Sequence, residues 1–242
     1  MFQQPILQQQ IRGTLCAFAL VFSTSAARSA PPAQRSIAWV LELNDGLDHA
    51  SQAEDLKEQI AAARSGGAKI VCVEISGKPW RLDVAQSVGE VLATSEPPAI
   101  AFIKSESGEA PLAFLVAGGR AGKGCWIETG TTLISDAAGN ARELAEPKAI
   151  TAAETFWKKS DAQSPFASHD ALRAAMLDPA IGCWMITRAG GKLELNRGTP
   201  TAAAGPMTSL CEPGASVLKL RAQDAIALGL ATALASDARA AL

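Results

Sequence analysis

Between residues 37 and 103 the chain alternates three short apolar runs with two segments of helical period, an order that few folds accommodate. Ile37–Leu43, Lys69–Ile75 and Ala99–Ile103 are each nearly continuous in apolar residues, as in strands covered on both faces. Ser51-Gln-Ala-Glu54 reads as a capping box, and Ala53, Leu56, Ile60 and Ala63 follow at helical spacing until Gly66-Gly67 stops them. Val84, Val88, Val91 and Leu92 mark a second amphipathic helix, and Pro97-Pro98 introduces the third run. Strand, helix, strand, helix, strand calls for parallel pairing through right-handed crossovers. The expected class is α/β with a mostly parallel sheet.

Beyond Ile103 the pattern loosens. Ala110 to Ala117, small and apolar, reads as a helix, followed by the loop Gly118-Gly-Arg-Ala-Gly-Lys-Gly124 and a short strand, Cys125–Glu128. Helical spacing returns from Ile150, and Asp170–Leu177 gives a short helix stopped before Pro179. Cys183–Arg188 and Lys192–Asn196 flank Ala189-Gly190-Gly191, which predicts a hairpin with positive φ in its turn. Arg197–Pro213 carries little apolar pattern and reads as a long loop. Ser216–Leu220 reads as a strand, Ala222–Leu228 as a helix ended by Gly229, and Leu230–Ala235 as a last strand. No fixed repeat and no linker between two cores is evident, so residues 37–242 are expected to form one domain, with a hairpin and long-loop insertion at 182–215.

The first residues have a different character. Arg12, the apolar stretch Leu15–Phe22 and the small residues Ser25-Ala26-Ala27 follow the order of a secretory signal peptide. Eight apolar residues fall short of the roughly 30 Å of a bilayer's hydrocarbon core. The expectation is a signal peptide over residues 1–27, a linker over 28–36 with Pro31-Pro32, and a secreted or periplasmic product. Cleavage would discard Cys16 and leave Cys72, Cys125, Cys183 and Cys211 where disulfides are permitted. Their apolar settings make buried, inert thiols the plainer reading. No two cysteines show metal spacing, and His49 and His169 are isolated, so neither a metal nor a cofactor is expected.

Composition narrows the partners. The net charge is −2, 19% of residues are charged and tyrosine is absent, which argues against nucleic acid and points to a peptide or protein. The glycine-rich loop at 118–124 could hold an anion on its backbone amides but fails as a P-loop. Ala117 stands where the first glycine should be, and Gly124 where a hydroxyl should bind magnesium.

The order of these elements resembles the Clp/crotonase superfamily, specifically the membrane-bound serine proteases of the Clp class, related to NfeD and signal peptide peptidase proteins. Ala99-Ile-Ala-Phe-Ile103 resembles the strand that leads to the nucleophile. Cys125-Trp-Ile-Glu-Thr-Gly-Thr-Thr-Leu133, Ala174-Ala-Met-Leu-Asp-Pro179 and Leu218 to Leu230 resemble later family segments, and Glu146-Pro-Lys148 resembles the one bearing the general base. The resemblance implies a Clp/crotonase-like spiral of βαβ units, a Ser–Lys dyad and assembly into a homo-oligomer. In such a dyad a hydroxyl gives its proton to a lysine kept neutral by desolvation, while two N–H donors hold the oxyanion.

Transferred onto this chain, the family pattern makes Lys148 the base and Ser107 the nucleophile. A shift of two residues would put Glu109 at the serine position, and a register using Ala121-Gly-Lys-Gly124 would put Gly122 there. Ser107 with His169 and Asp170 is another grouping, although His169 and Asp170 also suit a plain helix start. A capping or loop hydroxyl is the ordinary role for Ser107, and solvation beside Pro147 the ordinary state for Lys148.

The oxyanion turn departs from the pattern. Where the family carries adjacent glycines after its second strand, this chain reads Ser76-Gly77-Lys-Pro-Trp80. Pro79 has no N–H to offer and Trp80 fills space a peptide needs. Losing one oxyanion donor typically lowers turnover by ~10²–10³. The expectation is an exported pseudoenzyme, weakly active or non-catalytic, acting as a binding or assembly module, with a membrane-associated partner allowed. The alternative is a working Ser–Lys peptidase cleaving unstructured or membrane-associated peptides, with Gly77 near the oxyanion. Acyl-CoA chemistry on the same architecture ranks last.

Overall fold

The computed structural model describes residues 38–77, 81–112, 124–136, 170–178, 180–201, 205–215 and 217–242. The expected signal peptide and linker lie outside them. Strands β1 (Ala38–Leu43), β2 (Ile70–Ile75) and β3 (Ala99–Ile103) alternate with helices α1 (Gln52–Ser65) and α2 (Leu82–Ala93), as their apolar spacing dictates. All three strands pair in parallel, with Leu41 opposite Val73 and Val73 opposite Ala101. Two further parallel strands, β5 (Cys125–Glu128) and β11 (Ala233–Ala235), complete a sheet of order β1-β2-β3-β5-β11.

Side chains alternate across this sheet, and both sets find cover. Val71, Val73, Ile75, Ala101 and Ile103 pack in one core with Leu56, Ile60, Val84 and Val88 of the two helices. Cys72, Ile100 and Phe102 point the other way, onto Ala238 and Ala241 of the C-terminal helix α5 (Ala238–Ala241). Burial on both faces is why these strands read as unbroken apolar runs.

A second sheet, of order β10-β6-β4, joins β4 (Glu109–Pro111), β6 (Thr132–Asp136) and β10 (Val217–Arg221). Here β10 runs antiparallel to β6, whereas β4 runs parallel to it. Helix α4 (Ala222–Ala227) leads from β10 back to β11. After α3 (Asp170–Leu177), a third, antiparallel sheet of order β8-β7-β9 combines the expected hairpin of β7 (Cys183–Thr187) and β8 (Leu193–Arg197) with β9 (Met207–Cys211). Gly190 and Gly191 have the positive φ that its turn requires.

Several local expectations need correction. Ser51 has helical backbone and its side chain makes no capping bond, so Ser51–Glu54 is not a capping box. Gln52 organises the helix entry instead: its Oε1 accepts from the amides of Asp48 and His49, both at 3.1 Å, and its Nε2 donates to the Gly46 carbonyl at 2.8 Å. The stretch read as helix from Ala110 begins as strand β4, and helical backbone starts only at Leu112. Arg197–Pro213 is not all loop, since β9 lies within it.

Candidate functional site

In open parallel sheets, ligands bind beyond the carboxyl ends of the strands. At that edge β1 and β2 are joined by backbone bonds: the Ser76 amide donates to the Leu43 carbonyl at 2.9 Å, and the Gly46 amide to the Ser76 carbonyl at 3.0 Å. Ser76 Oγ donates to Asn44 Oδ1 at 3.0 Å, and Asn44 Nδ2 donates to Glu42 at 2.7 Å. Gly77 follows with φ +83°, and a Cβ there would stand 2.1 Å from the Asn44 carbonyl oxygen and 2.6 Å from the Gly46 nitrogen. Only glycine combines that backbone with that contact. Chain direction is fixed again at Arg81, whose amide donates to the Leu47 carbonyl at 2.7 Å and whose guanidinium reaches the Asp48 carbonyl at 3.3 Å. Both ends of the expected oxyanion turn are thus tied to the β1–α1 loop. Lys78, Pro79 and Trp80 between them lie outside the described residues.

The end of β3 is built differently. The Lys104 amide donates to the Ile75 carbonyl at 3.0 Å, and its ammonium meets the buried Glu74 carboxylate at 2.7 Å. That bond, then the Glu74 charge, holds the Lys104 pKa above the ordinary lysine value. A lysine so paired is kept protonated and is unsuited to act as a base. Ser105 donates through its amide and its hydroxyl to Glu128, at 2.7 and 2.6 Å, which fastens the exit of β3 to the end of β5.

Ser107 and Gly108 are the central residues of the next turn, with φ of +55° and +84° as a type I′ hairpin turn requires. Glu106 and Glu109 close it by exchanging backbone bonds of 2.7 and 3.0 Å. Ser107 is exposed at the tip and does not open a helix. Ala110 and Pro111, both buried, continue as β4 in register with Leu133 and Ile134, and Leu112 is the first residue with helical backbone. The resemblance implies a nucleophilic serine at the start of a helix, and the residue that precedes the helical backbone at Leu112 is Pro111.

Lys148, Gly122 and His169 lie outside the described residues. Glu109 sits half-buried on β4 opposite Thr132. Asp170 opens α3 and pairs with Arg173 at 3.7 Å. The four described cysteines are buried and unlinked. Burial, helped by the Glu74 charge, pushes the Cys72 thiol up to about 12, and burial likewise raises Cys125 and Cys211. None of these is poised as a thiolate nucleophile. Among the described residues no cluster of three His, Cys, Asp or Glu side chains could hold a metal ion.

The residues that sequence reasoning passed over are Asn44, Gln52 and the pairs Glu74–Lys104 and Ser105–Glu128. A signal was present: Glu42 and Glu74 interrupt apolar strands one residue before their ends, and they lie opposite one another in register.

No protein-family model matches the chain, and neither does any curated protein. Among solved structures, the chain is similar to a membrane-bound stomatin-specific protease, determined as a lysine-to-alanine mutant in complex with a substrate peptide. There the TM-score is 0.52 at 15% identity, over 86% of this chain and 80% of that one. A serine-to-alanine mutant of the same protease gives a TM-score of 0.51 at 14% identity, over 85% and 82% of the two chains. A point mutant of ClpP1 from Listeria monocytogenes is more distant, with a TM-score of 0.45 at 8% identity over 82% and 91%. The fold, α/β with a mostly parallel main sheet as the order of elements implied, is similar to that of the stomatin-specific protease.

Proposed function

We propose that the protein is an exported polypeptide-binding or assembly module built on this peptidase-type fold, with Ser–Lys hydrolysis weak or lost. The observation that carries the reading is Pro111 at the junction of β4 with helical backbone. Proline suits the first turn of a helix because the N–H it lacks would have no partner there, but it has no hydroxyl to offer. Ser107, four positions earlier, sits at an exposed hairpin tip. A nucleophile there would work in water, where a lysine stays protonated and an oxyanion gains little from fixed amides.

Two further features agree with this reading. Pro79 falls in the turn whose amides would face a substrate carbonyl. The similar protease was captured with a substrate peptide, which makes an extended polypeptide the natural partner for this chain. Assembly into a homo-oligomer and export through residues 1–27 belong to the same proposal.

An active Ser107–Lys148 peptidase is the second reading, favoured by Gly77, held at positive φ two residues after β2. A fluorophosphonate probe separates the two. The expected result is no phosphonyl adduct in the intact mass of the purified protein. An adduct mapped to Ser107, lost in Ser107→Ala and slowed in Lys148→Ala, would establish the peptidase instead.

A further inference from the structure

The four described thiols are not equivalent in position. Cys72 on β2 and Cys125 on β5 are separated by the whole of β3. Two strand spacings amount to roughly 9.5 Å, beyond the ~7 Å that a disulfide can bridge between Cα atoms. They also face opposite ways, because Cys72 aligns with Ile100 and Cys125 with the next residue, Ala101.

Cys183 and Cys211 stand in the opposite relation. Cys183 opens β7, Cys211 closes β9, and in the antiparallel register they are direct Cα partners. Residues so paired have Cα atoms about 4.5 or 5.5 Å apart, depending on whether they exchange backbone bonds, and both values fall inside the range of observed disulfides. A bulge between Cys183 and Trp184 adjusts the pairing so that both cysteines bury into the same apolar cluster. Close approach at this end of the sheet is visible in Gly182, where a Cβ would stand 2.9 Å from Pro213 of the turn that follows β9. Cys211 Sγ lies 3.5 Å from the Glu212 carbonyl, so its side chain is held at this turn. The Cys183 thiol is pushed up to about 12 by burial first and by the neighbouring Cys211 second.

We infer that Cys183 and Cys211 are an oxidation site that closes to a cystine, stapling β9 to β7, while Cys72 and Cys125 remain thiols. A small-molecule or protein disulfide is the oxidant. The Cys211 thiolate attacks one of its sulfurs and releases the first thiol. The Cys183 thiolate then attacks the mixed disulfide at the Cys211 sulfur and releases the second. Two protons and two electrons leave the protein, and the oxidant is reduced to two thiols. Both thiols are buried once the sheet is closed, so the bond forms during folding. The strand it holds is one whose outer residues, Met207, Thr208 and Ser209, are exposed and contribute little burial.

The inference does not depend on export or on catalysis, and it is tested on the full chain refolded from denaturant in a buffer of oxidised and reduced glutathione. After alkylation under denaturing conditions and proteolysis, the expected product is a peptide pair joined through Cys183 and Cys211, with Cys72 and Cys125 alkylated. The reduced protein should melt roughly 5–10 °C lower than the oxidised one, as expected for a native cross-link in a chain of this size. Replacing Cys72 and Cys125 by alanine should leave the linked pair intact. Complete alkylation of Cys183 and Cys211 after refolding, or a bond joining either one to Cys72 or Cys125, would overturn it.

Discussion

The two turns at the carboxyl edge of the main sheet show how differently adjacent parts of one site can be specified. The turn after β2 is interlocked: a side chain on Gly77 would meet the Asn44 carbonyl and the Gly46 nitrogen, and the loop carrying both is pinned by Gln52. The turn after β3 is tied through its backbone, the Gly108 carbonyl accepting from the Thr132 amide at 2.9 Å, but its side-chain space is open, since a side chain on Gly108 would meet nothing within 4 Å and Ser107 is exposed. Both use positive φ, but only the first is also held by packing. The first turn therefore belongs to the scaffold, whereas the second places no requirement on what its tip displays. A hydroxyl at that tip is poorly placed for chemistry that needs a fixed, dry nucleophile.

The largest effect that would break this comparison is expected at Gly77. Gly77→Ala adds a Cβ both to a left-handed backbone and to a space already filled by backbone atoms. It should destabilise by about 3 kcal/mol in denaturant unfolding, while Gly108→Ala, with backbone strain alone, should cost about 1 kcal/mol. Equal losses would show that packing does not distinguish the two turns. A smaller effect of opposite sign is expected for Ser107→Gly, which relieves the positive φ of a non-glycine residue and should stabilise by a few tenths of a kcal/mol to about 1. Destabilisation instead would mean that the Ser107 side chain is held.

The smallest effect concerns the ion pair at the base of the second turn. The Lys104 pKa is raised in the folded state, so its contribution to stability is fully present below the unfolded value near 10.5 and is lost as pH rises through the folded value. The stability difference between the wild type and Glu74→Gln should therefore shrink above about pH 10.5. Lys104 is half exposed, so solvent screening keeps the change modest. A difference that holds constant through that range would show that Glu74 acts by packing alone.

These contrasts also explain what could be read in advance. Strands β2 and β3 were legible because both faces are buried, and the half-buried edge strand β1 because its apolar residues still pack on the core, leaving apolar runs with no other economical reading. Strand β9 was not, because Met207, Thr208 and Ser209 are exposed and its place comes from pairing with β7, a non-local fact. Glu109-Ala110-Pro111 has the small, proline-bearing look of a helix start, and it forms a strand only because Thr132–Ile134 lies beside it. The resemblance puts Ser107 at a helix start, whereas it lies in the turn that leads into this strand. The glycine after β2 was legible, but its interlock with Asn44 was not, since the contact joins residues far apart in sequence.

The central claim is that this fold holds polypeptide without hydrolysing it. A fluorescent, unstructured polypeptide incubated with the purified protein reports both properties, through fluorescence anisotropy and through the intact mass of the polypeptide. The account predicts a saturable rise in anisotropy with no new termini after prolonged incubation. Cleavage products that accumulate with time and disappear in Ser107→Ala would contradict it.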